Sequence, residues 1–160
     1  MRTIEHTIDI PAPPATVWRV LTDTGHYGVW NPFIPRLEGE LRTGSRLRVT
    51  ITPPGRSMTF KPTVLAVEED RLLRWRGRLG VHCLLDGRHE FRLEPLPDGG
   101  TRFVQMETFA GVLVPLLRQA LDDTAIGFAH MNQALRKRAV TAPPPYHWEP
   151  PPSVPAGDTT

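Results

Sequence analysis

The chain has 160 residues, of which 39% are hydrophobic and 22% charged, and its formal net charge is +2. That is one domain's worth of chain, long enough to bury a core, and no uninterrupted apolar run approaches the roughly 18 residues that a membrane span requires. Cys83 is the sole cysteine, which excludes an intramolecular disulfide and points to a reducing, cytoplasmic setting.

Residues 3–10 alternate, with Ile4, His6, Ile8 and Ile10 on one side and Glu5, Thr7 and Asp9 on the other, which predicts a first strand. The same stretch is too acidic and too short of apolar residues for a signal peptide. Pro11, Pro13 and Pro14 stop the strand. Pro13 or Pro14 then opens a helix through Val17, Trp18 and Leu21 to Thr22 and Asp23, ended by Gly25. A second short helix or turn over 26–30 runs into Asn31, Pro32, Phe33, Ile34 and Pro35, where two prolines fix an extended bend. Residues 37–41 form a short strand, and in the next one Leu47, Val49 and Ile51 alternate against Arg46, Arg48 and Thr50. After a turn at Pro53, Pro54 and Gly55, residues 58–67 read as a strand that Pro62 interrupts, which predicts an edge position or a bulge. Beyond Glu69 and Asp70, Leu73, Trp75, Gly77 and Leu79 face inward, with Arg74, Arg76 and Arg78 outward. Residues 80–86 carry no clear signal. His89, Phe91 and Leu93 then share a face, 95–100 is a hairpin loop, and Phe103, Gln105, Glu107 and Phe109 share a face of the last strand.

Residues 111–140 read as one long amphipathic helix. Leu113, Leu117, Ala120, Leu121, Thr124, Phe128, Met131 and Leu135 fall on one face about 100° wide. Gly111 breaks the preceding strand, Pro115 suits a first turn, and Arg136, Lys137 and Arg138 lie where the helix dipole favours cations. The fold class is therefore α+β: a curved antiparallel sheet of about seven strands wrapped around one long C-terminal helix, with two short helices after the first strand. One domain covers 1–142, and 143–160 form a proline-rich tail. Seven of the twenty residues from Thr141 to Thr160 are proline, with Tyr146, His147 and Trp148 among them. The tail reads as disordered or polyproline II, or as a segment that docks Tyr146 and Trp148 on the domain or a partner.

Four stretches, IPAPPATVWRVLTDTGHYGVWNPF (10–33), GRHEFRLEPLPDGGTRF (87–103), METFAG (106–111) and GFAHMNQALRKR (127–138), resemble the START-like, helix-grip superfamily (SRPBCC), in its bacterial polyketide cyclase/dehydrase-like branch. The resemblance covers residues 1–142 and implies a hydrophobic cavity between helix and sheet. Members of similar architecture bind lipids, hormones or aromatic polyketides, and only some catalyse a reaction. No motif here matches one that fixes a single ligand or reaction.

For such a cavity the sheet offers Val49, Ile51, Phe60, Trp75, Phe91, Phe103 and Phe109. The helix offers Leu117, Leu121, Thr124, Phe128 and Met131, and the bend offers Trp30 and Phe33. Singly, each reads first as a packing residue. His89, Gln105, Glu107 and Thr124 among them are polar groups that a pure core would not hold. If the last hairpin pairs Leu93 with Phe103, then Phe91 faces Gln105 and His89 faces Glu107, with opposed Cβ atoms about 5 Å apart. That pair is either a structural contact that fixes register or a catalytic dyad. In the dyad, Glu107 orients His89, and the other ring nitrogen meets a ligand carbonyl, phenol or enol.

The arginines are dispersed and interleaved with Glu90 and Glu94, so cross-strand ion pairs explain them better than a phosphate-binding stripe, and no nucleic-acid partner is expected. His82 and Cys83 would point to opposite faces of a strand, and no CxxC or HxxxH spacing exists, so neither a metal nor another cofactor is expected. Loops 31–35, 53–57 and 80–86 lie where a gate would, while Asp122 and Asp123 read as solvated surface. The expected function is binding of a hydrophobic, aromatic or polycyclic, lipid- or polyketide-like molecule by a monomer or homodimer. One alternative is an aromatase/cyclase-type enzyme using His89 and Glu107 without a metal. Another is a protein-interaction module acting through the tail.

Overall fold

The structure, a computed structural model, describes residues 1–79 and 85–143. The side chain of Leu79, the pair His82 and Cys83, and Tyr146, His147 and Trp148 of the tail lie outside the described residues. In chain order come β1 (Arg2–Ile10), α1 (Pro14–Thr22), a 3-10 turn (Thr24–His26) and α2 (Tyr27–Trp30). Then follow β2 (Arg36–Glu38), β3 (Arg48–Ile51), β4 (Met58–Phe60), β5 (Thr63–Glu68), β6 (Leu72–Leu79), β7 (Leu85–Pro95) and β8 (Thr101–Ala110). A 3-10 turn (Val114–Leu117) leads into α3 (Arg118–Thr141).

The architecture is α+β, as expected, but the described residues hold eight strands in two antiparallel sheets, ordered β1-β8-β7-β6-β5 and β2-β3-β4. The extra strand comes from Pro62. Lacking an N–H, it cannot continue a ladder, and the predicted strand over 58–67 breaks there into β4, the edge of the small sheet, and β5, the edge of the large one. A register shift between Val64 and Ala66 adds a bulge. Pro62 still accepts from Leu47 N at 2.9 Å, and an Arg46–Thr63 bridge helps to join the two sheets.

The long helix also starts later than its apolar stripe. Gly111 turns the chain at φ 129°, Pro115 sits in the 3-10 turn, and α-helical geometry begins at Arg118. From there Leu121, Thr124, Phe128, Met131 and Leu135 are buried against the large sheet. Gly127 is required for that approach. A Cβ there would stand 2.1 Å from the Phe33 ring, so the helix can press onto Phe33 only where it has no side chain. Phe33 is held in turn by Asn31, whose Oδ1 accepts from Phe33 N at 3.1 Å and Ile34 N at 2.8 Å. The bend therefore docks on α3 as a rigid unit.

On the outer face, Arg74 pairs with Glu90 at 2.7 Å and Arg92 with Glu94 at 2.9 Å, while Arg76 pairs with Asp86. Arg74 and Glu90 are direct cross-strand partners, Arg76 reaches Asp86 diagonally, and Arg92 and Glu94 are neighbours along β7.

Candidate functional site

Register places the inner-face residues of the large sheet in rows across its strands. One row runs Leu73, Phe91, Gln105 and His6; the next runs Trp75, His89, Glu107 and Ile4; the third runs Gly77, Gly87, Phe109 and Arg2. The first row is solid. Phe91 and Gln105 are fully buried, Phe91 stacks on Phe103 with centroids 5.8 Å apart, and the Met131 sulfur of α3 lies 3.6 Å from Gln105 Nε2. The third row carries no side chain on β6 and β7, where glycines stand side by side next to Phe109. Where those two side chains are missing, a cavity of about 250 Å³ opens between the sheets and α3.

Of the residues expected to face a ligand, Phe33, Ile51, Phe60, Trp75, Phe109, Leu117, Leu121 and Thr124 line this cavity, and so do His89 and Glu107. Trp30, Val49, Phe91, Phe103, Gln105, Phe128 and Met131 do not. Most of them fill the packed half of the core, and Trp30 lies edge-on against Tyr27 at 5.2 Å. Periodicity assigns a face, not a position along it, and the hollow occupies only one end of that face. Lining residues absent from the expected set include Ile34, Pro53, Met58, Ala120 and, above all, Gly77 and Gly87. A reader who weighs large side chains passes over them, although Gly77 already falls on the inner face by alternation.

Leu93 pairs with Phe103, Phe91 with Gln105 and His89 with Glu107, the register anticipated from the hairpin. His89 Nδ1 lies 3.2 Å from Glu107 Oε2. Its ring is buried and stacks on Trp75, with centroids 4.9 Å apart and planes 18° from parallel. The second ring nitrogen is also engaged. Gln105 Nε2 lies 3.3 Å from His89 Nε2 and 3.6 Å from Met131 Sδ. A thioether sulfur only accepts, so the amide N–H group faces this side and donates to His89 Nε2. The ring proton then belongs on Nδ1, where it is donated to Glu107. Gln105 Oε1 and Trp75 Nε1 are buried with no partner among the described residues.

The rest of the wall is largely apolar. Thr124 donates its hydroxyl back to Ala120 O at 2.9 Å, which leaves its methyl and its oxygen lone pairs for a ligand. Arg56, on the loop between β3 and β4, donates to Asp123 Oδ2 at 3.2 Å, and Gln119 donates to Asp123 Oδ1 at 3.1 Å. Asp123 is therefore not a solvated surface group: its side chain is only 16% exposed, because the loop folds over it. Arg78 has Asp86 at 3.7 Å.

The sequence matches the family described as polyketide cyclase / dehydrase and lipid transport over residues 1–139. No curated protein matches the chain. Among solved structures, TTHA0849 from Thermus thermophilus is 19% identical, with a TM-score of 0.69, over 87% of this chain and 97% of that one. Protein MLL2253 from Mesorhizobium loti is 24% identical, with a TM-score of 0.68, over 85% and 95%. The Zhui aromatase/cyclase from Streptomyces sp. R1128 is 21% identical, with a TM-score of 0.67, over 88% and 96%. At these identities the likeness is one of fold. No helix among the described residues is long and apolar enough to cross a membrane. Matched over nearly its whole length and folded as a sheet gripping a helix, the chain belongs to the polyketide cyclase / dehydrase and lipid transport family of the START-like (SRPBCC) superfamily.

Proposed function

We propose that the protein binds a hydrophobic, aromatic or polycyclic small molecule in the cavity beneath α3. The supporting observation is a hollow of about 250 Å³, walled by Phe33, Phe60, Trp75 and Phe109, in a molecule whose other inner-face rows are filled. An apolar void of about 150 Å³ already holds benzene, so this one suits a bicyclic or similar ring system. Burying about 200 Å² of its apolar area at roughly 25 cal/mol per Å² contributes about 5 kcal/mol, which corresponds to a dissociation constant of about 0.2 mM before any polar contact. Native mass spectrometry of the freshly purified full chain, followed by solvent extraction, tests this. A retained aromatic compound, or saturable binding of naphthalene, supports the reading. Binding of neither to the folded protein overturns it.

A second reading, an enzyme of the aromatase/cyclase kind, draws on the hydrogen bond between His89 and Glu107. In it the cavity folds a reactive poly-β-carbonyl chain and Glu107 takes up a proton during enolisation, with His89 holding the carboxylate in place. His89→Ala then lowers turnover far more than it lowers substrate affinity, whereas in a pure binder only the dissociation constant changes.

A further inference from the structure

We infer that Gly77, Gly87 and the carboxylate of Glu107 form one subsite, specific for a planar ring that carries an O–H or N–H donor at its edge. The inference rests on the reading of the cavity as a small-molecule site and names what that site selects. Gly77 and Gly87 are direct cross-strand partners and both line the cavity, so a patch of backbone without a Cβ forms part of its floor. The patch is bounded on both sides by aromatic rings. A Cβ on Gly77 would lie 3.3 Å from the Phe60 ring, and one on Gly87 would lie 3.6 Å from the Phe109 ring. A planar molecule lying on exposed peptide backbone between two rings is held by dispersion over its whole face.

Beside that patch stands an acceptor with no donor among the described residues. Glu107 Oε1 lies 2.9 Å from where a Gly87 Cβ would be, so it borders the floor directly. The other oxygen, Oε2, is occupied by His89 Nδ1. No hydrogen bond to Oε1 is made by the described residues. The imidazole cannot serve in its place, since Gln105 holds Nε2. Nor do the nearby cations fill the role, because Arg56 is paired with Asp123 and Arg78 faces Asp86. A carboxylate oxygen in a largely apolar cavity attracts a hydroxyl or amine proton and repels a carbonyl or ether oxygen, so it selects among rings of the same shape.

The test compares 2-naphthol, 2-methoxynaphthalene and naphthalene by equilibrium titration of the unmodified full chain, then of Glu107→Gln, Gly87→Ala and Gly77→Ala. The expected result is that 2-naphthol binds about tenfold or more tightly than its methyl ether, the yield of one charge-assisted hydrogen bond. In Glu107→Gln that preference shrinks severalfold while naphthalene affinity holds. Gly87→Ala, whose methyl must displace the Glu107 carboxylate, weakens all three ligands, and Gly77→Ala does the same through Phe60. Equal affinity of the unmodified protein for 2-naphthol and 2-methoxynaphthalene overturns the subsite and leaves the cavity reading standing. Binding of none of the three overturns the subsite, and the cavity reading with it where the purified protein also retains no aromatic compound. The ligand comparison needs no variant, so a misfolded glycine substitution does not blunt it.

Discussion

The phenol of Tyr27 is completely buried and donates to the carbonyl of Leu21, bracing the short α2 against the end of α1. Burial pushes its ionisation well above the ordinary 10.0, with the nearby Asp23 adding to the shift. The folded state thus holds the phenolic proton more firmly than the unfolded chain does. Its contribution to stability is fully present below about pH 10 and is lost as the pH climbs towards the raised value, because only the unfolded chain ionises there. Tyr27→Phe removes the hydroxyl and leaves Leu21 O unpaired, at an expected cost of about 1–2 kcal/mol in urea unfolding at pH 7. Repeated at pH 10.5–11, the gap between the two proteins should narrow, since the substituted one has no buried phenol to ionise. At the same scale Asp9 behaves in the opposite sense. The hydrogen bond from Arg102 holds its carboxyl below the usual range, so that pair supports the fold above the ordinary carboxylate range and ceases to do so as acid protonates it.

The β3–β4 hairpin and α3 face each other across the cavity, and Arg56 with Asp123 joins them. The guanidinium is more than a third exposed, so the pair is worth at most about 1 kcal/mol to the fold. Its position matters more than its strength. Arg56→Ala should leave the melting temperature within about 2 °C of the parent while speeding release of a bound naphthol severalfold, read by stopped-flow fluorescence. If release is unchanged, the hairpin is not the way out. How much of this element pairing can be read from sequence depends on what fixes register. The His89–Glu107 pair is legible because alternation sets the face of each strand and the short loop over 95–100 sets how they align. The glycine floor is not, because β6 and β7 are joined through residues with no turn signal, and nothing in alternation tells which inner-face positions lie opposite. Pro62 is legible as an interruption, yet whether it bulges one strand or divides two depends on the other edges available to pair.

Across the whole molecule the same inner face is packed at one end and hollow at the other, and the rows separate the two. Phe91, with Phe103, Phe128 and Met131, occupies the solid end, where every atom removed leaves a void that the neighbours cannot fill. Phe109, two rows along on the neighbouring strand, already borders a space and is only partly buried. The helical and strand stripes that predict the core treat the two phenylalanines alike, since both are large, apolar and inward. Their neighbours make the difference. Phe91→Ala should therefore destabilise the fold by about 3–5 kcal/mol, as expected for a packed aromatic. Phe109→Ala should cost only about 1–2 kcal/mol, because part of its surface is exposed to the cavity before the change. Ligand affinity should rank the other way. At temperatures where both variants are folded, Phe109→Ala loses a wall of the glycine floor and binds naphthalene several times more weakly, while Phe91→Ala keeps the floor and Glu107 and binds nearly as the parent does. Urea unfolding and naphthalene titration on the same two preparations measure both rankings. Parallel losses in the two assays would mean that the cavity is an extension of the core rather than a separate binding space.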